Sequence, residues 1–198
     1  MSTVKTKKVQ LGTDATASNN FTLYQPATPD GTLRIGVGNA DNPTEVGRFN
    51  ANGYKPQQPV AFSAYLPSGY PFSPSVWTVM PLNTEEFDTN ANYNTTNYRF
   101  TPTVAGYYQF NVGAGTTHGG TASIIGLGVW KNNNVGSSSI MASYVSHNSG
   151  DVKTHSCLLY MNGTTDYVDA RVYNNGTSPQ LTASYWETHF TGYLVAQT

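Results

Sequence analysis

The sequence predicts an all-β protein whose larger part is a two-sheet sandwich. Three observations carry this. Residues 105–114 (AGYYQFNVGA) alternate, with Tyr108, Phe110 and Val112 on one side and Tyr107, Gln109 and Asn111 on the other, as a half-buried strand requires. After position 59, strand and turn signals recur every eight to fifteen residues. No stretch sustains an apolar period of 3.6, so helix content is expected to be close to nil.

The elements follow in chain order. Three short strands are expected at 9–12 (VQLG), 21–26 (FTLYQP) and 32–38 (TLRIGVG), separated by the turn-forming runs SNN, PDG and NADNP. This opening segment carries five of the ten cationic side chains, namely Lys5, Lys7, Lys8, Arg34 and Arg48. It has few large apolar residues, so it is expected to need identical neighbours or a larger host surface to fold. The proline-bracketed KPQQP (55–59) marks a connector, dividing residues 1–58 from a domain at 59–198. Within that domain ten strands are expected: 60–66, 75–81, 98–102, 105–114, 122–132, 139–147, 152–161, 166–174, 180–186 and 188–196. Asn162-Gly163 and Asn175-Gly176 supply tight turns, because both residue types tolerate positive φ.

Several of these strands carry large residues on both faces. Ile125, Leu127 and Val129 share one side of 122–132, while Ile124 and Trp130 lie on the other with Gly126 and Gly128 between them. In 166–174, Val168, Ala170 and Val172 fill the core and leave Tyr167, Arg171 and Tyr173 outward; Tyr193 and Val195 alternate with Phe190 and Leu194 in the last strand. Outward aromatic and aliphatic side chains on neighbouring strands predict a protein contact.

Composition narrows the function. Only 11% of residues are charged and the formal net charge is −1, which offers no field to draw in nucleic acid or an anionic membrane. The Lys5, Lys7, Lys8 cluster reads as an ordinary basic start. Aromatics reach 13%, with 14 Tyr, a residue suited to contacts that are dry in the middle and wet at the edge. The one cysteine, Cys157, sits in the apolar run HSCLLYM and is expected to be buried. No apolar run approaches the roughly 20 residues needed to span a bilayer, so no membrane insertion is expected. MSTVKTKKVQL lacks the apolar stretch of a secretory signal, which points to synthesis in a cytoplasm and strips the triplets at Asn20, Asn94, Asn162 and Asn175 of meaning as glycosylation sites.

The residues give no catalytic or cofactor site. His118, His147, His155 and His189 lack the mutual spacing of zinc ligands. Glu85, Glu86 and Asp88 form the one acidic cluster, with Asp166 and Asp169 next, and the reading is a solvated loop. The glycine runs 113–120 and 124–130 open no helix that could cradle a phosphate. Neither enzyme chemistry nor a cofactor is expected.

The spacing Tyr-x6-Phe-Thr-x4-Gly-x-Tyr-x-Phe, set by Tyr93, Phe100, Gly106, Tyr108 and Phe110, resembles the jelly-roll head of the complement component-one-q and tumour necrosis factor superfamily. AFSAYL (61–66) and HFTGYLVA (189–196) extend the resemblance over roughly residues 59–198. It implies a ten-stranded jelly-roll sandwich, with three heads around a threefold axis and Ile124, Trp130, Tyr167, Arg171, Tyr173 and Tyr193 at the trimer interface. Some members of that superfamily hold calcium near the trimer apex, but this chain has no compact Asp-rich loop. Two departures concern loops: Tyr98 stands where the pattern has glycine, and Pro67–Ser75 is proline-rich with its own aromatics, Tyr70 and Phe72.

The stretch GTDATASNNFTLYQPATPDGTLRIGVGNADNPTEVGRFNANGY resembles the N-terminal segment of bacteriophage fibre and virion-appendage proteins. Together the two resemblances imply a virion protein: a trimeric short fibre, knob or capsid decoration whose residues 1–54 bind other virion proteins. Its head would adsorb to host-surface glycan or protein through Tyr70, Phe72, His118, Asn132, Asn133, Asn134, His147, Asn148 and Asn175. The alternatives are a purely structural cement protein, a glycan-cleaving tail protein and a secreted bacterial lectin.

Overall fold

The computed structural model describes residues 8–12, 15–16, 19–38, 41–56, 60–120, 123–133 and 140–198. Asn134, Lys5 and Lys7 lie outside them. The chain divides into two compact units, Met1–Pro59 and Val60–Thr198. The described residues contain no α-helix, and every strand ladder among them is antiparallel.

The first unit is a single five-stranded meander: β1 (Lys8–Leu11), β2 (Phe21–Tyr24), β3 (Leu33–Val37), β4 (Thr44–Asn50) and β5 (Gly53–Pro56). Strands β4 and β5 were not expected, because Gly47, Arg48 and the β-bulge between Ile35 and Gly36 interrupt a clean alternation. One face is polar: Arg34 pairs with Asp30 at 2.6 Å and Glu45 at 3.2 Å, and Arg48 reaches Glu45 at 2.6 Å. Hydrogen bonds from Thr32 and from Arg34 hold the Asp30 carboxyl at about 2, well below its usual range. The register places Val9, Leu11, Phe21, Leu33 and Phe49 on the opposite face. These five side chains are 43–53% exposed.

The second unit holds β6 (Ala61–Tyr65), β7 (Tyr70–Pro71), β8 (Thr78–Val79), β9 (Thr84–Asp88), β10 (Tyr93–Asn94), β11 (Arg99–Phe100) and β12 (Gly106–Gly119). They are followed by β13 (Ser123–Lys131), β14 (Ile140–His147), β15 (Val152–Met161), β16 (Val168–Asn174), β17 (Thr177–Leu181) and β18 (His189–Gln197). One sheet runs β15-β12-β18-β6-β9, with the last residues of β12 paired to β17 and β17 to β7. The other runs β10-β11-β16-β13-β14, with β8 on β16. Neighbours far apart in sequence and two facing sheets make this a jelly roll.

The core lies between the sheets. From the first come Phe62, Tyr108, Phe110, Cys157, Met161 and Phe190; from the second, Phe100, Ile125, Leu127, Val129, Val168 and Val172. Phe62 stacks on Phe100 at 4.3 Å and on Tyr93 at 5.1 Å, and meets Phe190 edge-on at 5.0 Å. Gly192 allows this closeness, since a Cβ there would come within 2.7 Å of both Phe62 and Phe110. The ordered aromatics of the sequence are therefore one ring cluster joining the two sheets. Burial also pushes the Cys157 thiol up to about 12, so it stays protonated and inert. A thiol reagent at mildly alkaline pH is expected to modify Cys157 only after denaturation; rapid labelling of the native protein would contradict this packing.

Three expectations need correction. The strand expected at 75–81 shrinks to β8, because Ser75 turns the chain at φ +61°. The one expected at 180–186 stops at Leu181, since the Ser184 carbonyl accepts from the N–H groups of Glu187 and Thr188 and reverses the chain. Asn175-Gly176 does not form a positive-φ turn; the Asn174 side chain instead accepts from the Gly176 N–H at 2.7 Å, and the positive φ falls on Ser178. Asn162-Gly163 does turn as expected, with Gly163 at φ +70° and the Asn162 amide oxygen accepting from three following N–H groups. Tyr98 adopts φ +60°, which explains why glycine suits that position of the resembled pattern.

Candidate functional site

The exterior of the jelly roll offers two sheet faces and two loop ends. On the outer face of the first sheet, the register sets Tyr160 beside Tyr107, and Leu158, Gln109 and Tyr193 in one row. Tyr107, Leu158, Tyr160, Tyr193 and Val195 are 43–54% exposed, a large fraction for apolar side chains on strands. Polar residues between them satisfy one another: Ser156 donates to Asn111 at 2.8 Å, and Asn111 lies 3.5 Å from the Thr191 hydroxyl. The row of Leu158, Gln109, Tyr193 and Ala61 carries no charge. Such a face is suited to a dry contact with another apolar protein surface.

The outer face of the second sheet is different. Trp77 lies across Gly126, where a Cβ would meet its ring at 2.8 Å, and packs on Trp130, Tyr144 and Tyr173 at 5.5–5.8 Å. Its Nε1–H donates to the Tyr144 hydroxyl at 2.9 Å. Below it, the Arg171 guanidinium stacks 4.0 Å from the Trp130 ring and bonds Asp169 and Asn133. Arg99 sits over Tyr167 at 4.0 Å. Trp130 and Arg171 are thus buried by their own chain.

This placement divides the residues of the expected interface. Ile124, Trp130, Arg171 and Tyr173 belong to the second sheet, Tyr167 directly precedes its strand β16, and Tyr193 belongs to the first, so the six form no common face. Alternation along a strand separates its two sides but does not say which sheet the strand joins. Tyr107, Leu158 and Tyr160 escaped that list for the same reason, although Tyr107 was legible as outward.

The expected ligand surface also divides. Tyr70, Phe72, His118, Asn148 and Asn175 come to one end of the sandwich, together with the backbone of His147, which pairs with Ser123. A groove of about 630 Å³ runs there between Pro71–Ser75 and Asn175–Pro179. Asn132 and Asn133 sit at the other end, past the last residue of β13. Several of these side chains have internal tasks. Phe72 is part of the core. Asn175 accepts from the Ile124 N–H at 2.6 Å. Asn132 bridges the Asp166 carboxylate and the Tyr167 N–H, while Asn133 accepts from Arg171. Asparagines in turns satisfy backbone groups as readily as ligands, and here they do the former. Burial would raise Asp166, but hydrogen bonds from Lys131 and Asn132 prevail and hold its carboxyl low.

A pair absent from the expected surface lies at the same end as the groove. Tyr185 and Trp186 are 58% and 64% exposed, with rings 4.6 Å apart, on a loop fixed by hydrogen bonds from Ser184 to Leu66 and from Thr182 to Glu187. They were read as strand, which hid them. The first and last residues of this unit approach the opposite end, where Val60 pairs with Leu194 and Thr198 with Ala105. Among the described residues no cluster of His, Cys, Asp or Glu is placed to hold a metal, and no helix is long and apolar enough to cross a membrane.

No protein-family model matches this chain, and no curated protein matches it. Solved structures do. The globular domain of zebrafish complement 1qA is 16% identical with a TM-score of 0.52, over 71% of this chain and 100% of that one. Murine APRIL at pH 8.0 is 9% identical with a TM-score of 0.52, over 70% and 100%. At such identity the likeness is one of fold: the head is a jelly roll of the complement component-one-q and tumour necrosis factor type.

Proposed function

We propose that this chain is a bacteriophage virion protein, a homotrimeric short fibre, knob or capsid decoration that binds and does not catalyse. The observation that carries the reading is the outer face of the first sheet. Tyr107, Leu158, Tyr160 and Tyr193 leave an exposed apolar surface on a jelly-roll head, and two further copies of the same head are its natural cover. Cyclic closure hides that surface without leaving an open chain of contacts. The fibre-like sequence of residues 1–54 supports attachment of the first unit to other virion proteins.

Recognition of the host surface then belongs to the loop end, remote from where the chain enters the head. Tyr70, Tyr185 and Trp186 are exposed at that end, and aromatic faces of this kind stack on sugar rings or peptide. The test is to assemble particles with the full-length chain carrying Tyr185→Ala and Trp186→Ala. Intact particles that no longer adsorb are the expected result. Fragile particles would favour a cement role, and unchanged adsorption would remove the recognition role.

A further inference from the structure

The first unit is one sheet thick, and a single sheet with an apolar face must bury it against something. Here that face turns Val9, Leu11, Phe21, Leu33 and Phe49 outward from β1–β4, each 43–53% exposed. Five half-exposed side chains of this size leave on the order of 400 Å² of apolar surface, the scale at which patches mark contacts. That is about half of what one partner contributes to a standard interface. The reverse face is already occupied by its own Asp30–Arg34–Glu45–Arg48 ion pairs and by Pro43 packed against Gly36.

We infer that this exposed apolar face is buried by the same face of two other copies, so that three first-unit sheets pack into a common apolar core. This rests on the trimeric reading of the head and assigns to the first unit a second, separate contact between copies. Three features select identical copies as the occupant. The face carries no charge, so its cover must be equally apolar and uncharged. The exposed residues are spread over β1, β2, β3 and β4, which makes the face broad and matches a second broad sheet better than a single inserted strand. The third is tethering: only residues 57–59 separate β5 from Val60, a span of at most about 3.5 Å per residue. A trimeric head therefore holds three first units at high effective concentration, where a contact too weak for free units becomes complete.

Hydrogen exchange on the full-length chain, read beside its sedimentation, tests this. In the wild type, β2–β4 amides are expected to be protected by at least about a hundredfold, and Phe21→Asp with Leu33→Asp should lower this below about tenfold while the head still sediments as a trimer. Arg48→Gln, on the reverse face, should leave protection unchanged. A head made monomeric by substitution on its own sheet should also lose first-unit protection. A trimeric wild type whose β2–β4 amides exchange freely overturns the inference alone and gives the face to another virion protein. Protection that survives either the Asp substitutions or head dissociation likewise overturns it. A wild-type chain that sediments singly overturns both this inference and the trimeric reading beneath it.

Discussion

Leu158→Asp combined with Tyr193→Asp is expected to convert the proposed assembly of three 21.4 kDa chains into single chains without unfolding the head. Both side chains are about half exposed within one subunit, Leu158 at 50% and Tyr193 at 48%, so the isolated fold tolerates a carboxylate at either position. In the assembly each carboxylate would be stripped of water, and its row neighbours Gln109 and Ala61 offer it no cation. An unpaired buried charge costs several kcal/mol, and threefold symmetry repeats the cost in every copy. Sedimentation at micromolar concentration reads the result, with circular dichroism to confirm the fold. Ile124→Asp is the informative control: it is 44% exposed but lies on the second sheet, and should leave the assembly whole. If Ile124→Asp dissociates the protein and the double variant does not, the contact belongs to the other sheet.

Phe62→Ala is expected to destabilise the head by about 3–5 kcal/mol, the range for removing a fully buried aromatic ring. Phe62 is 1% exposed and touches Tyr93, Phe100 and Phe190 at ring separations of 4.3–5.1 Å. Tyr93 and Phe100 arrive from β10 and β11 of the facing sheet, so the cavity would open at the joint between layers and not within one of them. Neither sheet can relax into it without moving the other. Since a domain retains only about 5–15 kcal/mol in total, the loss is a large share. Urea unfolding of the variant against the wild type measures it; a change below about 1 kcal/mol would mean that the ring cluster does not join the sheets as described.

Both expectations depend on information that the sequence holds unevenly. The strand at 152–161 was legible to the residue, and those at 122–132, 139–147 and 188–196 to within one residue at each end. Long strands with strict alternation announce themselves. Segments of two residues do not: β7 and β10 were unmarked, and β8 and β11 are short pieces of longer expected strands, because such segments exist only where a neighbouring strand supplies their hydrogen bonds. The same difficulty affects the site. Phe72 looked like a loop aromatic and is a core residue, since the proline-rich loop folds back over the sandwich. Trp130 and Arg171 looked outward, but Trp77, more than fifty residues before Trp130 in sequence, packs on the Trp130 ring, and Arg171 stacks on that same ring.

The sequence by itself determined the class of fold, the inward set Tyr108, Phe110 and Val112, and the burial of Cys157, because these follow from the two-residue period of a strand and from side-chain hydrophobicity. Only the tertiary structure decided that Tyr107, Leu158, Tyr160 and Tyr193 share one exposed face while Trp130 and Arg171 are covered on another. The physical reason is that a strand's own residues fix which side chains oppose each other across its plane. Which strands lie beside it is settled by hydrogen bonds to partners distant in the chain.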